Sequence, residues 1–242
     1  MRTLITICAR GGSKGIPGKN IRPLNGRPLL HYTVATARAY AARHPGTDLE
    51  LSTDSDEIRD VAAAAGLSTD YRRPAALGSD TAGKIDVIAG LKRYAEEANG
   101  CTYDLVIDLD VTSPLRTVAD LDAAREQLLE RPAALNIFSV SPANRNPYFN
   151  MVEEQPDGRV DLAKRPQTPC LTRQSAPNVY DMNASFYIFR NDFFERGERS
   201  SITAHSLAYV VPHVCFDLDH PLDFEIMDFL LRENKLDVEL CA

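Results

Sequence analysis

The chain contains no tryptophan, which weakens any reading built on an exposed aromatic platform, although nine Tyr and nine Phe remain. It contains no C-x-x-C pair. Its five cysteines, Cys8, Cys101, Cys170, Cys215 and Cys241, stand at no metal-ligand spacing from a histidine, so a structural zinc site is not expected. An odd, scattered set of thiols reads instead as free cysteines of a cytoplasmic protein. No stretch approaches the ~18 apolar residues that cross a bilayer, so no membrane association is expected. The start, Met1 to Cys8, holds only a strand-length apolar run and lacks the long apolar region of a secretory signal. A basic excess is also missing. The net charge is −7, which argues against a nucleic-acid partner.

One absence is local. Residues 1–47 hold eight Lys and Arg and no Asp or Glu, which leaves 19 basic and 34 acidic side chains, a net of −15, in the remainder. A basic leading segment on an acidic protein suits a small polyanion better than a long one.

The apolar pattern alternates between strand and helix. Leu4–Cys8, Leu49–Thr53, Leu67–Tyr71, Leu105–Leu109, Leu135–Val140, Ala184–Phe189 and Val210–Phe216 read as strands. Leu29–Arg43, a segment capped by Asp54 or Ser55 and stopped at Gly66, Ile85–Ala98, a segment capped by Thr117 or Asp120, and Pro221–Arg232 read as helices. This order predicts an α/β, Rossmann-like fold with a mainly parallel sheet and helices on both faces. The alternation breaks over 141–178, where five prolines precede Pro177. A hairpin around Pro156-Asp157-Gly158 is expected there. Residues 1–140 and 179–242 are therefore assigned to the α/β domain and 141–178 to an insertion lobe. In such a sheet ligands bind beyond the carboxyl ends of the strands, so the loops after Cys8, Thr53, Leu109 and Phe216 are the places for chemistry.

The loop after the first strand reads Ala9-Arg10-Gly11-Gly12-Ser13-Lys14-Gly15-Ile16-Pro17-Gly18-Lys19-Asn20. Its glycines let backbone N–H groups turn toward an anion, and Arg10, Lys14 and Lys19 add three positive charges. It is neither a Walker A loop nor G-x-G-x-x-G, so a dinucleotide fold is disfavoured. Asp217 and Asp219 alternate at what reads as a strand end, which would send both carboxylates to one face. Such a pair suits Mg²⁺, or it caps the following helix. Thr112-Ser113-Pro114-Leu115-Arg116 follows a strand and precedes a helix, where a hydroxyl pair and a proline also have an ordinary capping role.

The first-loop string, followed in order by Ser52-Thr53-Asp54, Arg73-Pro74-Ala75, Ser79-Asp80-Thr81-Ala82, Thr112-Ser113-Pro114-Leu115-Arg116 and Phe216-Asp217-Leu218-Asp219, resembles the acylneuraminate cytidylyltransferases across nearly the whole chain. The resemblance implies transfer of CMP from CTP to a nonulosonic acid, with Mg²⁺ (or Mn²⁺) on Asp217 and Asp219 and a homodimer built through the lobe. It implies catalytic roles for Arg10, Lys14, Lys19 and Asp219, and nucleotide binding by Ala9, Arg10, Gly11, Gly12, Ser13, Lys19, Asn20, Arg73 and Ser79. It places the sugar against Asp110, Thr112, Ser113, Arg116, Arg173, Gln174 and Asn183. Within the family, Asp108 to Arg116, Arg145 to Asn150 and Tyr180 to Ser185 resemble the branch that activates N,N′-diacetyllegionaminic acid. Sialic-acid enzymes typically carry Gln-Pro where this chain has Asp110-Val111.

Overall fold

The computed structural model describes the whole chain except Ser13, Lys14, Asp80, Thr81, Gln167, Pro169, Cys170, Leu171 and Ala242, and leaves the Arg173 side chain undescribed. Strand β1 (Thr3–Cys8) leads into the basic loop and a 3₁₀ turn, Lys19–Ile21. A two-stranded ribbon, β2 (Pro23–Leu24) and β3 (Arg27–Pro28), feeds helix α1 (Leu29–Arg43). Then follow β4 (Thr47–Ser52), α2 (Asp56–Ala64), a single helical turn α3 (Ala75–Gly78), α4 (Lys84–Asn99), β5 (Leu105–Leu109) and α5 (Val118–Leu129). Strand β6 (Asn136–Pro142) ends where the lobe begins. The lobe holds the small hairpin β7 (Val152–Glu154) and β8 (Val160–Leu162). Strand β9 (Tyr180–Arg190), the short α6 (Asn191–Glu195), β10 (Ser206–Val210) and α7 (Pro221–Arg232) complete the chain.

The six-stranded sheet has the order β10-β6-β9-β5-β1-β4. Strand β1 pairs in parallel with β4 and β5, and β10 pairs in parallel with β6. Strand β9 runs antiparallel between β5 and β6. The sheet is therefore mainly parallel with one reversed strand. The lobe is the excursion between β6 and β9, which lie side by side.

Alternation along the strands sorts the two faces. Ile5, Ile7, Ile107, Leu109, Phe186 and Ile188 join the core made with α1, α2, α5 and α7. Val106, Tyr187 and Phe189 turn the other way, against Ile85 and Ile88 of α4 and Phe193 of α6. Helix ends follow local chemistry. The Ser55 hydroxyl accepts from the Ile58 amide, and Thr117 with Asp120 forms a reciprocal capping box.

Two expected strands are not formed as read. No ladder covers Leu67–Tyr71. Leu67 and Tyr71 are buried, but the backbone between them is held by side chains: Arg59 donates to the Thr69 carbonyl and the Thr69 hydroxyl accepts from the Tyr71 amide. The expected strand Val210–Phe216 is displaced toward the N-terminus, to Ser206–Val210. After Val211, whose amide still bonds Val140, Pro212 has no N–H to continue the ladder.

Candidate functional site

The carboxyl ends of β1, β4 and β5 meet the 217–219 turn. Two adjoining cavities of about 300 and 290 Å³ open there, both lined by Cys8, Arg10 and Asp110. The first also takes in Lys19, Asn20, Thr112 and Asp219. The second takes in Arg73, Ser79 and Lys84. Two loops far apart in sequence thus face one cleft.

The basic loop is laced to its surroundings. The Gly11 amide donates to Asp54 Oδ1 at 2.7 Å, so this N–H turns to a protein carboxylate. The Asn20 side chain is buried and donates to the Arg10 carbonyl at 2.9 Å. Lys19 is not a free grip. Its side chain is only 14% exposed, its ammonium donates to the Leu218 carbonyl at 2.6 Å, and Asp219 lies 3.6 Å away. A Cβ on Gly15 would stand 2.8 Å from the Asp219 carbonyl oxygen, so this glycine permits the loop to approach the acidic turn. Ala9 is buried with its amide bonded to Ser52, and Gly12 is exposed with open space around it. Ser13 and Lys14 lie outside the described residues.

Asp217 and Asp219 do not sit on a strand. What orients them is Leu218, which is fully buried and whose amide donates to the Thr112 carbonyl at 2.9 Å. An apolar anchor between two carboxylates leaves Asp217 half-buried and Asp219 exposed. Burial pushes the Asp217 pKa up, the Thr112 hydroxyl opposes this, and the Asp110 and Asp219 carboxylates add to it. Its two carboxylate neighbours each have a protein cation nearby, Lys84 at 2.9 Å from Asp110 and Lys19 at 3.6 Å from Asp219. Among the described residues no group of three or more His, Cys, Asp and Glu side chains is placed to hold a metal ion.

Asp110 is firmly ionised. Burial would raise its pKa, but the Lys84 ammonium at 2.9 Å and the Thr112 amide and hydroxyl, each at 3.0 Å, bring it down to about 2. Arg73 is buried and donates to the Ser52 hydroxyl and carbonyl, leaving its edge on the second cavity. Ser79 lines the same cavity.

Several expected sugar contacts point elsewhere. Arg116 is fully buried and donates to the Ser185 and Asp110 carbonyls and the Thr33 hydroxyl. Ser113 is buried and bonds the Phe216 carbonyl. Asn183 accepts from the Ser139 hydroxyl and donates to that of Ser141. These three groups tie β5, β6 and β9 to the following loops and do not line the cleft, because an interior site needs its polar groups paired. Gln174 is exposed in a 3₁₀ turn, Arg173–Ser175, at the end of the lobe. Sequence reasoning missed Lys84. It opens α4 with no motif of its own, and only the packing of that helix against the sheet brings it to Asp108 and Asp110.

A parallel-type sheet with a basic loop after its first strand and an acidic turn opposite defines a nucleotidyltransferase. Residues 4–233 match the cytidylyltransferase family model, and the chain belongs to that family. It is 41% identical over 96% of both chains to post-translational flagellin modification protein B of Campylobacter coli. To the CMP-N,N′-diacetyllegionaminic acid synthase of Campylobacter jejuni it is 38% identical, again over 96% of both. Among solved structures it is similar to CMP:2-keto-3-deoxy-manno-octonic acid synthetase complexed with CTP, with a TM-score of 0.64 at 15% identity over 97% of this chain and all of that one. That likeness concerns the fold. No helix among the described residues is long and apolar enough to cross a membrane.

Proposed function

We propose that this enzyme transfers CMP from CTP to the anomeric 2-hydroxyl of a nonulosonic acid, N,N′-diacetyllegionaminic acid before N-acetylneuraminic acid, and releases pyrophosphate. The observation that carries the reading is that Arg10, Lys19, Asp110 and Asp219 line one cavity at the carboxyl ends of the strands, with Asp217 two residues from Asp219. The sugar hydroxyl oxygen attacks the α-phosphorus and releases its proton to solvent, while the bond to the pyrophosphate oxygen breaks and pyrophosphate leaves with that electron pair. Such a step needs positioning and charge neutralisation above all. Arg10, Lys14 and Lys19 hold the triphosphate, Arg73, Ser79 and Asn20 the nucleotide end, and Asp110 and Thr112 the wall toward the sugar. Asp217 and Asp219 would hold Mg²⁺, or Mn²⁺ in its place. Bound there, such an ion would supply charge neutralisation for the phosphates.

The choice of sugar rests on the relatives from Campylobacter and on Asp110-Val111, where sialic-acid enzymes typically carry Gln-Pro. The apolar cavity of about 510 Å³ at the lobe, which includes Phe138, Val140, Met151 and Met182, supports a homodimer through this face. Free thiols at Cys8, Cys101, Cys215 and Cys241 suit a reducing cytoplasm. The deciding experiment is pyrophosphate release from CTP and Mg²⁺ with a panel of nonulosonic acids. The expected result is the highest kcat/KM with the diacetyllegionaminic acid. Equal or reversed preference for N-acetylneuraminic acid overturns the sugar assignment, and no turnover with any of them overturns the function.

A further inference from the structure

The residues assigned so far leave a partly buried cation on the wall of the second cavity without a role. Lys84 is the first residue of α4, where the helix dipole disfavours an ammonium. Partly desolvating a lysine head there is costly unless it is paired. Its Nζ lies 3.2 Å from Asp108 Oδ2, 2.9 Å from Asp110 Oδ2 and 4.3 Å from the centre of the Tyr187 ring. Asp108 is inside the protein, and its other oxygen accepts from the Thr6 hydroxyl at 2.8 Å. The two carboxylates are two residues apart at the end of β5, and Tyr187 faces Asp108 from β9. The ammonium is thus turned onto three groups of its own protein.

Asp110 passes this geometry onward. Its Oδ1 accepts from the Thr112 amide and hydroxyl. The Thr112 carbonyl in turn accepts from Leu218, the anchor of the turn that bears Asp217 and Asp219. A chain of polar contacts therefore runs from the start of α4, along the wall shared by the two cavities, to the acidic turn.

We propose that Lys84 is a positioning residue of the reaction and acts through Asp110: the pair holds the 110–112 turn, and through it the 217–219 turn, in register with the cleft. The inference rests on the cytidylyl-transfer reading above. Without the ammonium, Asp108 and Asp110 would be two like charges on one strand face with no cation between them, and Asp110 would turn out toward solvent. Nothing in this role requires Lys84 to touch CTP, so its removal should lower turnover more than nucleotide binding.

The test compares wild type with K84M, K84R, D110N and the double variant K84M/D110N. Pyrophosphate release is followed at saturating sugar with CTP varied, and thermal unfolding is recorded for each protein. K84M is expected to lose about 10- to 100-fold in kcat while its KM for CTP stays within about twofold. D110N should lose a similar factor, and the double variant should fall no more than about threefold below the poorer single variant, because the two side chains act as one unit. K84R keeps the charge and should recover at least about threefold over K84M. Losses that multiply in the double variant overturn the proposal. So does a K84M whose KM for CTP rises with kcat unchanged, which would make Lys84 a nucleotide contact. If K84M does not fold, K84R and D110N decide: wild-type kcat in both refutes the role. A wild-type enzyme without turnover on any nonulosonic acid removes the function reading and this inference together, whereas wild-type turnover with an unaltered K84M removes the inference alone.

Discussion

The cleft and the lobe cavity are built on opposite principles. The lobe cavity is the larger, about 510 Å³, and is mostly apolar, with Met151, Tyr180 and Met182 well exposed around it. The two cavities of the cleft are smaller and lined mainly by charged and polar groups, several bonded to another loop. Size alone would direct attention to the lobe. An exposed apolar hollow gains most by being covered, whereas reacting phosphates need fixed charges that are already in place. The cleft's side chains are pre-positioned by each other, and that distinguishes a site suited to chemistry from an uncovered apolar hollow.

The largest expected effect breaks the acidic side of the cleft. Asp217→Asn removes a charge at nearly constant shape and should reduce kcat/KM by about 100-fold or more, with activity lost in EDTA and restored by Mg²⁺ or Mn²⁺. Full activity in excess chelator would show that the carboxylates are structural only. Next comes the basic side. Lys19→Ala should cut turnover by about 10- to 100-fold and also destabilise the fold by about 1–3 kcal/mol, because it leaves the Leu218 carbonyl without its donor. A loop lysine read from sequence alone would be expected to leave stability near wild type. Calorimetry distinguishes the two expectations. A smaller effect is expected from Gly15→Ala, whose methyl would press on the Asp219 carbonyl 2.8 Å away. It should cost about 1–3 kcal/mol or shift the acidic turn, read as a lower melting temperature together with reduced kcat.

The lobe offers the complementary test. Met182→Asp places a charge at the apolar hollow and should move the protein toward monomer in sedimentation velocity, with the cleft's affinity for CTP unchanged. A wild-type protein that sediments as a monomer at all concentrations refutes the dimer.

The smallest effect concerns pH, beyond both regions. His213 Nε2 lies 2.9 Å from Asp120 Oδ2, and its Nδ1 lies 3.0 Å from the Val214 carbonyl. Both ring nitrogens face acceptors, so the charged ring fits best. Burial opposes that charge, but the Asp120 bond and the Val214 carbonyl outweigh it and raise the His213 pKa. Burial likewise would raise the Asp120 pKa, yet the bonds from His213 and Thr117 lower it. The histidine contribution is full below its unfolded pKa of about 6.5 and fades as pH rises through the raised native value. The aspartate contribution is present above about pH 3.9 and fades as pH falls through the lowered native value. The pair should therefore stabilise most between about pH 4 and 6.5, and His213→Gln should flatten the unfolding profile on the alkaline side of that window. An unchanged profile would show that the pair contributes nothing.

The sequence by itself determined the α/β order, the helix bounds at Leu29–Arg43 and Pro221–Arg232, the strand Leu105–Leu109 and the hairpin in the lobe. These follow from periodicity, caps and turn residues, all of which act within a few neighbours along the chain. Local signals also placed Arg10 and Asp110 just past strand ends and Lys19 and Asn20 in the basic loop, where the cleft forms, whereas Asp219, read at a strand end, lies in a turn beyond the last strand. Tertiary structure decided the rest. The reversed direction of β9, the loss of a strand at Leu67–Tyr71 and the shift of the last strand to Ser206–Val210 depend on which edge is free and where Pro212 stops a ladder. Arg116, Ser113 and Asn183 have the residue types of a binding site, yet they face inward because strand pairing surrounds them with carbonyls and hydroxyls to satisfy. Lys84 carries no local signal at all. Its partners lie more than twenty residues away at the end of β5, and only the packing of α4 beside that strand turns a surface-type residue into a partly buried cation between two carboxylates.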